Sequence, residues 1–294
     1  MVEPVAFCVN PQTLATNAFQ KISDISAQQM NNLAIQEHRN MVSLLQQHGI
    51  KVTVIQDTSI PHTPDSVFPN NWFSTHQDGR IVLYPMCNLN RRAERKPAVL
   101  SFLTSLADDG NIVDLTSYEE EKRFLEGTGS LVLDRVNNIA YACISARTDA
   151  DVMKKWCEIM GYTPILFSAV DRQNKAIYHT NVLMGIGTNW AVVCTDSIAD
   201  KQERELVVKN LERTQHEIIK ISPDQMEHFA GNMLEVRSEN GQKYVVMSST
   251  AFSCLNDEQK AIFKKYVEII IPDIPTIEQA GGGSVRCMMA EIFC

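Results

Sequence analysis

The sequence predicts an α+β fold in which five modules, each a β-hairpin followed by a helix and a short strand, close into a ring. Three observations lead there. Turn residues flanked by alternating apolar positions recur roughly every 50 to 60 residues, which is the mark of an internal repeat. After each turn come a helical pattern and a short apolar run. The first and last apolar segments, PVAFCVN and SVRCMMAEIF, have no local partner and would supply a fifth hairpin by pairing with each other.

Each element has its own local signal. A helix over Ala27–His48 stops at Gly49 and leads into KVTVIQ. WFSTHQDGRIVLYP (72 to 85) is a hairpin turning at Asp78-Gly79, followed by a helix from Pro97 to Ala107 and the strand NIVDL. GSLVLDRVNNIAYACIS (129 to 145) turns around Val136-Asn137-Asn138 and precedes a helix from Asp149 to Met160 and TPILFS. NVLMGIGTNWAVVCTDSI turns at Gly185 to Asn189, before a helix from Asp200 to Arg213 and EIIKIS. NMLEVRSENGQKYVVMSS turns at Asn240-Gly241, before a helix from Asp257 to Tyr266 and VEIIIP. Several of these helices open on Asp, whose carboxylate caps the first unpaired amides. Length alone, at about 150 residues per domain, would suggest two domains. The repeat instead makes residues 1–294 one domain.

Composition narrows the function. With 44% hydrophobic and 21% charged residues the chain is globular. Lys plus Arg is 27 against 35 for Asp plus Glu, and a net charge of -8 is the wrong sign for binding nucleic acid. The start, MVEPVAFCVN, is no export signal, and no run approaches the ~20 apolar residues that span a bilayer, so a soluble, cytoplasmic protein without a membrane partner is expected. The 8 cysteines contain no CxxC pair, and most lie in apolar strings such as AYACIS and AVVCTD, as reduced thiols buried like small hydrophobes do. The 7 histidines show no HExxH or HxH spacing, so no metal is expected, and GGGS lacks the lysine and helix of a phosphate loop.

Four segments at module edges are rich in functional side chains: DSVFPNN (65 to 71), LEGTGS (125 to 130), YHTN (178 to 181) and GGGSVRC (281 to 287). Singly, each has a structural explanation: a turn, a hydrogen-bonded histidine, a solvated strand start. Their shared position in the repeat favours chemistry. Cys287 follows a glycine-rich approach where backbone can come close to a ligand. A thiol needs a basic or cationic neighbour to act as a nucleophile, and His179 is the candidate. With the Glu126 carboxylate, this set suits covalent catalysis at a trigonal carbon bearing nitrogens.

Together the four segments resemble the guanidino-group modifying enzymes: arginine deiminase, dimethylarginine dimethylaminohydrolase, the amidinotransferases and succinylarginine dihydrolase. The resemblance covers nearly the whole chain and implies the pentein fold, a five-module α/β propeller of ββαβ repeats with pseudo-fivefold symmetry. It implies Cys287 as nucleophile, His179 as general acid/base and Glu126 as the carboxylate beside the reacting group. Asp65 and Phe68 would line the pocket, and Arg91 and Arg147 would hold the α-carboxylate of an amino-acid substrate, a structural salt bridge being the other reading of each arginine. The branch most similar is that of citrulline ureidase and arginine deiminase-related proteins, with the pattern NxxTxxxNxFQ at Asn10 to Gln20.

One departure bears on the substrate. Arginine-specific relatives carry aspartates where this chain has Asn71 and Asn181, and fewer carboxylates leave a buried cation less well paired. A neutral ureido group, with an NH2 and a carbonyl that an Asn amide can complement, fits better, so citrulline ranks above arginine. The implied reaction needs no external cofactor. Arginine deiminase and amidinotransferase activities stay open, as do a homodimeric state and a non-enzymatic binding protein of the same architecture, of which the ribosome anti-association factor, lacking the Cys/His pair, is the example.

Overall fold

The computed structural model describes residues 1–22, 24–106 and 111–293. Its strands are β1 (Val2–Glu3), β2 (Ile55–Gln56), β3 (Phe73–Thr75), β4 (Ile81–Leu83), β5 (Ile112–Asp114), β6 (Val132–Asp134), β7 (Ile139–Cys143), β8 (Thr163–Phe167), β9 (Met184–Ile186), β10 (Trp190–Val193), β11 (Glu217–Lys220), β12 (Leu234–Arg237), β13 (Lys243–Val246) and β14 (Glu268–Ile270). Four three-stranded sheets share one plan. Each pairs a hairpin antiparallel and then adds a third strand parallel to the second, as in β3-β4-β5, β6-β7-β8, β9-β10-β11 and β12-β13-β14. A parallel neighbour needs a crossover, and the helix between the second and third strands supplies it.

These helices lie where the pattern puts them, for the reasons the sequence contains. Asp149 accepts from the amides of Asp151 and Val152 ahead of Ala150–Met160, and Gly161, at φ 77, ends that helix. Asp200 caps Lys201–Arg213 in the same way. For Asp257–Tyr266 the cap is Asn256, which forms a capping box with Gln259, so Asp257 lies one residue inside the helix. Helix Pro97–Leu106 ends at the last described residue before the gap, and residue 107 of the expected helix lies outside the described residues. Ala27–Gln47 begins on a Ser26–Gln29 capping box and stops before Gly49, at φ 73.

The fifth module differs from expectation. SVRCMMAEIF is not a strand: Val285–Met288 is a short helix, and residues 289–293 are irregular. PVAFCVN does not pair with it either, because β1 runs parallel to β2 in a two-stranded sheet of its own. The C-terminal segment meets the first three-stranded sheet instead through Ala290 and Ile292, packed on the cluster of Phe73 and Ile81, and through the Thr75 side chain. Thr75 Oγ1 donates to the Glu291 carbonyl at 2.9 Å and accepts from the Phe293 amide at 3.0 Å. Those bonds satisfy backbone groups that a ladder would otherwise have paired.

Apolar clusters link neighbouring sheets. Val82 and Tyr84 pack with Ala140 and Trp156, and Tyr141 and Phe167 share a cluster with Trp190, Val192 and Val245. Val246 and Ile270 pack with Phe7, Met41 and Val285, and Val2 packs with Trp72 and Phe73. Short helical turns, Pro69–Asn71, Gly127–Ser130 and Thr180–Leu183, precede β3, β6 and β9. Gly127–Ser130 packs on both of the others, and Val285–Met288 packs on Pro69–Asn71.

Candidate active site

Those short turns carry the polar residues singled out in the sequence. Glu126 immediately precedes Gly127–Ser130, His179 immediately precedes Thr180–Leu183, Asn71 ends Pro69–Asn71, and Cys287 sits inside Val285–Met288. All four are buried.

His179 Nε2 lies 2.8 Å from Glu126 Oε2, and the Cys87 amide donates to Glu126 Oε1 at 3.0 Å. Burial alone would raise the Glu126 carboxyl. Arg147, whose Nη1 is 3.6 Å away, and His179 outweigh it and hold the group down at about 2. An ionised Glu126 accepts, so Nε2 of His179 carries the proton and Nδ1 presents a lone pair. Burial, opposed by Glu126, lowers His179 to about 4 and keeps it neutral at pH 7. Gly129 faces the free nitrogen: a Cβ there would sit 2.7 Å from His179 Nδ1 and 2.5 Å from Asn71 Nδ2.

Cys287 Sγ receives two carboxamide donors, Asn181 Nδ2 at 3.4 Å and Asn232 Nδ2 at 3.3 Å. Asn181 stands two residues after His179 on the same turn, and so joins the histidine to the thiol. Its Oδ1 is buried without a partner. The glycine run before the cysteine is explained by packing. A Cβ on Gly281 or Gly283 would meet the Phe68 ring at 2.7 or 3.1 Å, so Phe68 lies against the backbone that delivers Cys287. Tyr178 Oη donates to the Gly282 carbonyl at 2.6 Å, and Asn17 Nδ2 bonds the Gly281 and Gly282 carbonyls at 3.3 and 3.2 Å. Gln20 holds the Ala280 carbonyl at 2.9 Å and accepts from Thr13 at 2.9 Å. The Asn10 to Gln20 pattern is therefore a strap over the glycine run.

Asp65 accepts from Asn10 at 2.7 Å through Oδ2, while its Oδ1 is buried with no partner, and burial pushes its carboxyl up despite Arg91. The two arginines differ. Arg91 is engaged by protein: Glu94 takes Nε and Nη2 at 2.8 and 3.0 Å, the Phe68 carbonyl takes Nη2 at 3.1 Å, and Asn71 Oδ1 takes Nη1 at 2.6 Å. Burial works against its charge, but Glu94 and Asp65 outweigh it and raise its pKa. Asn71 is consumed as well, its Nδ2 donating to Asn70 at 3.0 Å. Arg147 lies over the Tyr178 ring at 4.9 Å and donates to Thr16 at 2.6 Å, but its Nε has no partner.

Sequence reasoning missed Asn232. It precedes β12 just as His179 and Asn181 precede β9, so the repeat position that drew attention to the other segments was a signal for it too. Among the described residues no cluster of His, Cys, Asp and Glu is gathered as a metal ion would require, and no helix is long and apolar enough to cross a membrane.

Comparison with known proteins sets this geometry in context. A family model described as "N,N dimethylarginine dimethylhydrolase, eukaryotic" matches residues 3–294. A search of curated sequences finds no match. Among solved structures, apo ArgZ, an arginine dihydrolase from the ornithine-ammonia cycle in cyanobacteria, superposes with a TM-score of 0.77 at 14% identity, over 100% of this chain and 40% of ArgZ. The N-terminal domain of ArgZ bound to substrate gives 0.75 at 13% identity, over 98% of this chain and 95% of that one. A dimethylarginine dimethylaminohydrolase adduct with 4-chloro-2-hydroxymethylpyridine gives 0.65 at 16% identity, over 89% and 92%. At these identities the superpositions speak for a shared mixed α/β fold.

Proposed function

The chain belongs to the N,N dimethylarginine dimethylhydrolase family, among the guanidino-group modifying enzymes, and from that premise we infer that it hydrolyses a carbon–nitrogen bond at the guanidino carbon of an arginine derivative. One observation carries the choice of substrate group. Asp65 Oδ1 and Asn181 Oδ1 are buried acceptors without donors. Leaving such atoms unpaired costs about 1–3 kcal/mol each, and a guanidinium, with its five N–H groups, can satisfy both. A ureido group also brings a carbonyl that needs a donor. Each nearby amide has committed one of its two N–H groups, Asn71 Nδ2 to Asn70 and Asn181 Nδ2 to Cys287, and has one left to offer such a carbonyl. The expectation of a citrulline substrate, drawn from Asn71 and Asn181, is the second reading. It keeps two supports: neither residue adds a charge, and each has an N–H that could meet a ureido carbonyl.

In the reaction, Cys287 sulfur adds to the guanidino carbon while its proton passes to Nδ1 of the neutral His179. The carbon–nitrogen bond to the leaving amine breaks as His179 returns that proton to nitrogen, leaving an S-amidino enzyme. Water then adds to the same carbon with His179 as base. The carbon–sulfur bond breaks, the thiol is reprotonated, and a ureido product leaves. Glu126 fixes the imidazole tautomer throughout. Arg147, with a donor to spare, holds the substrate carboxylate, whereas Arg91 orients Asn71. Residues 1–294 act as one five-unit domain. The clusters that join each sheet to the next support a ring closed by the 285–293 segment.

Separate incubations with arginine, Nω,Nω-dimethylarginine and citrulline test this reading. Release of ammonia or dimethylamine from a guanidino substrate is expected, lost in Cys287→Ala. Conversion of citrulline to ornithine with neither guanidine consumed would overturn it, and turnover that requires an added amine acceptor would make the protein a transferase.

A further inference from the structure

We propose that Asn232 is a positioning residue for the nucleophile, forming with Asn181 a pair of carboxamide donors that aim Cys287 sulfur and hold the negative charge it gains as its proton passes to His179. This rests on the reading of Cys287 as nucleophile and extends it to how the sulfur is aimed and its developing charge is held. The orientation of the Asn232 amide is dictated by its partners. Its Oδ1 accepts from the backbone N–H of Arg286 at 3.0 Å, a group that can only donate, so the NH2 end must face the sulfur. Both protons of that NH2 have acceptors, Cys287 Sγ at 3.3 Å and the Asn181 carbonyl at 3.1 Å. One side chain thus ties the turn bearing His179 and Asn181 to the turn bearing Cys287.

The preceding residue is built for this placement. A Cβ on Gly231 would lie 2.3 Å from the Val182 carbonyl oxygen, so only glycine lets the 231–232 backbone approach the Thr180–Leu183 turn. Among the described residues no charged side chain hydrogen-bonds the sulfur. The proton on His179 Nε2 faces Glu126, and the Arg286 guanidinium turns to the Met289 carbonyl and Glu291 at 3.0 and 3.2 Å. The contacts that hydrogen-bond the sulfur are the two amides, and hydrogen bonds to the charged form of an acid favour that form.

Asn232→Asp is the sharpest test. It is nearly isosteric and keeps an acceptor for the Arg286 amide, but it turns an acceptor oxygen toward the sulfur in place of a donor. The pH dependence of iodoacetamide alkylation, read by mass spectrometry on the Cys287 peptide, is expected to move up by about 1 unit or more, a tenfold smaller thiolate fraction at a given pH. On the hydrolysed substrate kcat at pH 7 should fall about tenfold or more with KM nearly unchanged, and recover as pH rises. The neutral Asn232→Ser should move both profiles in the same direction. An alkylation profile identical to the parent's in either folded variant would overturn the proposal, as would loss of the native fold in both. If Cys287→Ala retains activity the nucleophile reading fails instead, a result separable from the alkylation profile.

Discussion

At the scale of single residues, the site depends on groups whose partners leave little freedom. Gly129 is the tightest case, since a methyl there would press on His179 Nδ1 and Asn71 Nδ2 at once. With His179 as the proposed base, Gly129→Ala is expected to lower kcat by about 100-fold or more, because displacing such a group by about 1 Å is that costly. Steady-state kinetics beside circular dichroism would show it, and unchanged kcat would place the working nitrogen elsewhere. Arg91 and Arg147 should separate by readout. Arg91→Ala strands the buried Glu94 and Asp65 and should cost about 3–5 kcal/mol of stability in urea unfolding. Arg147→Lys retains the charge but loses the planar donor set, so it should raise KM more than it destabilises.

At the scale of elements, the strap and the glycine run support each other. Gly282 sits at φ 63, and a Cβ there would lie 2.6 Å from Asn17 Nδ2 and 2.7 Å from the Gln20 amide. Gly282→Ala therefore combines left-handed strain with a backbone clash and should destabilise by about 2 kcal/mol or more, measured by thermal or urea unfolding. The four hairpin-helix-strand units are legible in the sequence because turn residues, Asp caps and apolar alternation are local signals. Asn256, rather than Asp257, caps its helix because the capping box needs Gln259 at the third helical position, which a register one residue later does not provide. The terminal pairing fails for a different reason. SVRCMMAEIF has the composition of a strand, but the packing of Phe68 on the glycine run and the bonds of Asn232 fix Val285–Met288 as a helical turn, and those contacts are long-range. The part played by Asn71 is hidden in the same way, since a sequence does not show that Arg91 will take its oxygen.

At the scale of the whole molecule, burial shapes how stability responds to acid. His38 lies in the core under the N-terminal segment with neither ring nitrogen hydrogen-bonded. Burial, aided by the N-terminal ammonium and opposed by Glu3, lowers it to about 4. The unfolded chain binds a proton below about 6.5 while the folded one stays neutral, so stability falls as pH drops from 6.5 toward 4. Between pH 8 and 5 this one group accounts for about 2 kcal/mol. His38→Leu should shrink the urea-measured stability difference between those pH values by about that much, and an undiminished difference would refute the assignment. On the proposed reading, the turns bearing Asn71, Glu126, His179, Asn232 and Cys287 converge to make Cys287 a covalent nucleophile on a guanidino carbon. Rapid acid quench during turnover of the hydrolysed arginine derivative, followed by peptide mass spectrometry, tests it most directly. An amidino adduct is expected on the Cys287 peptide of the wild-type chain and none in Cys287→Ala; undiminished turnover by Cys287→Ala, or an adduct on another cysteine alone, would contradict a Cys287 nucleophile.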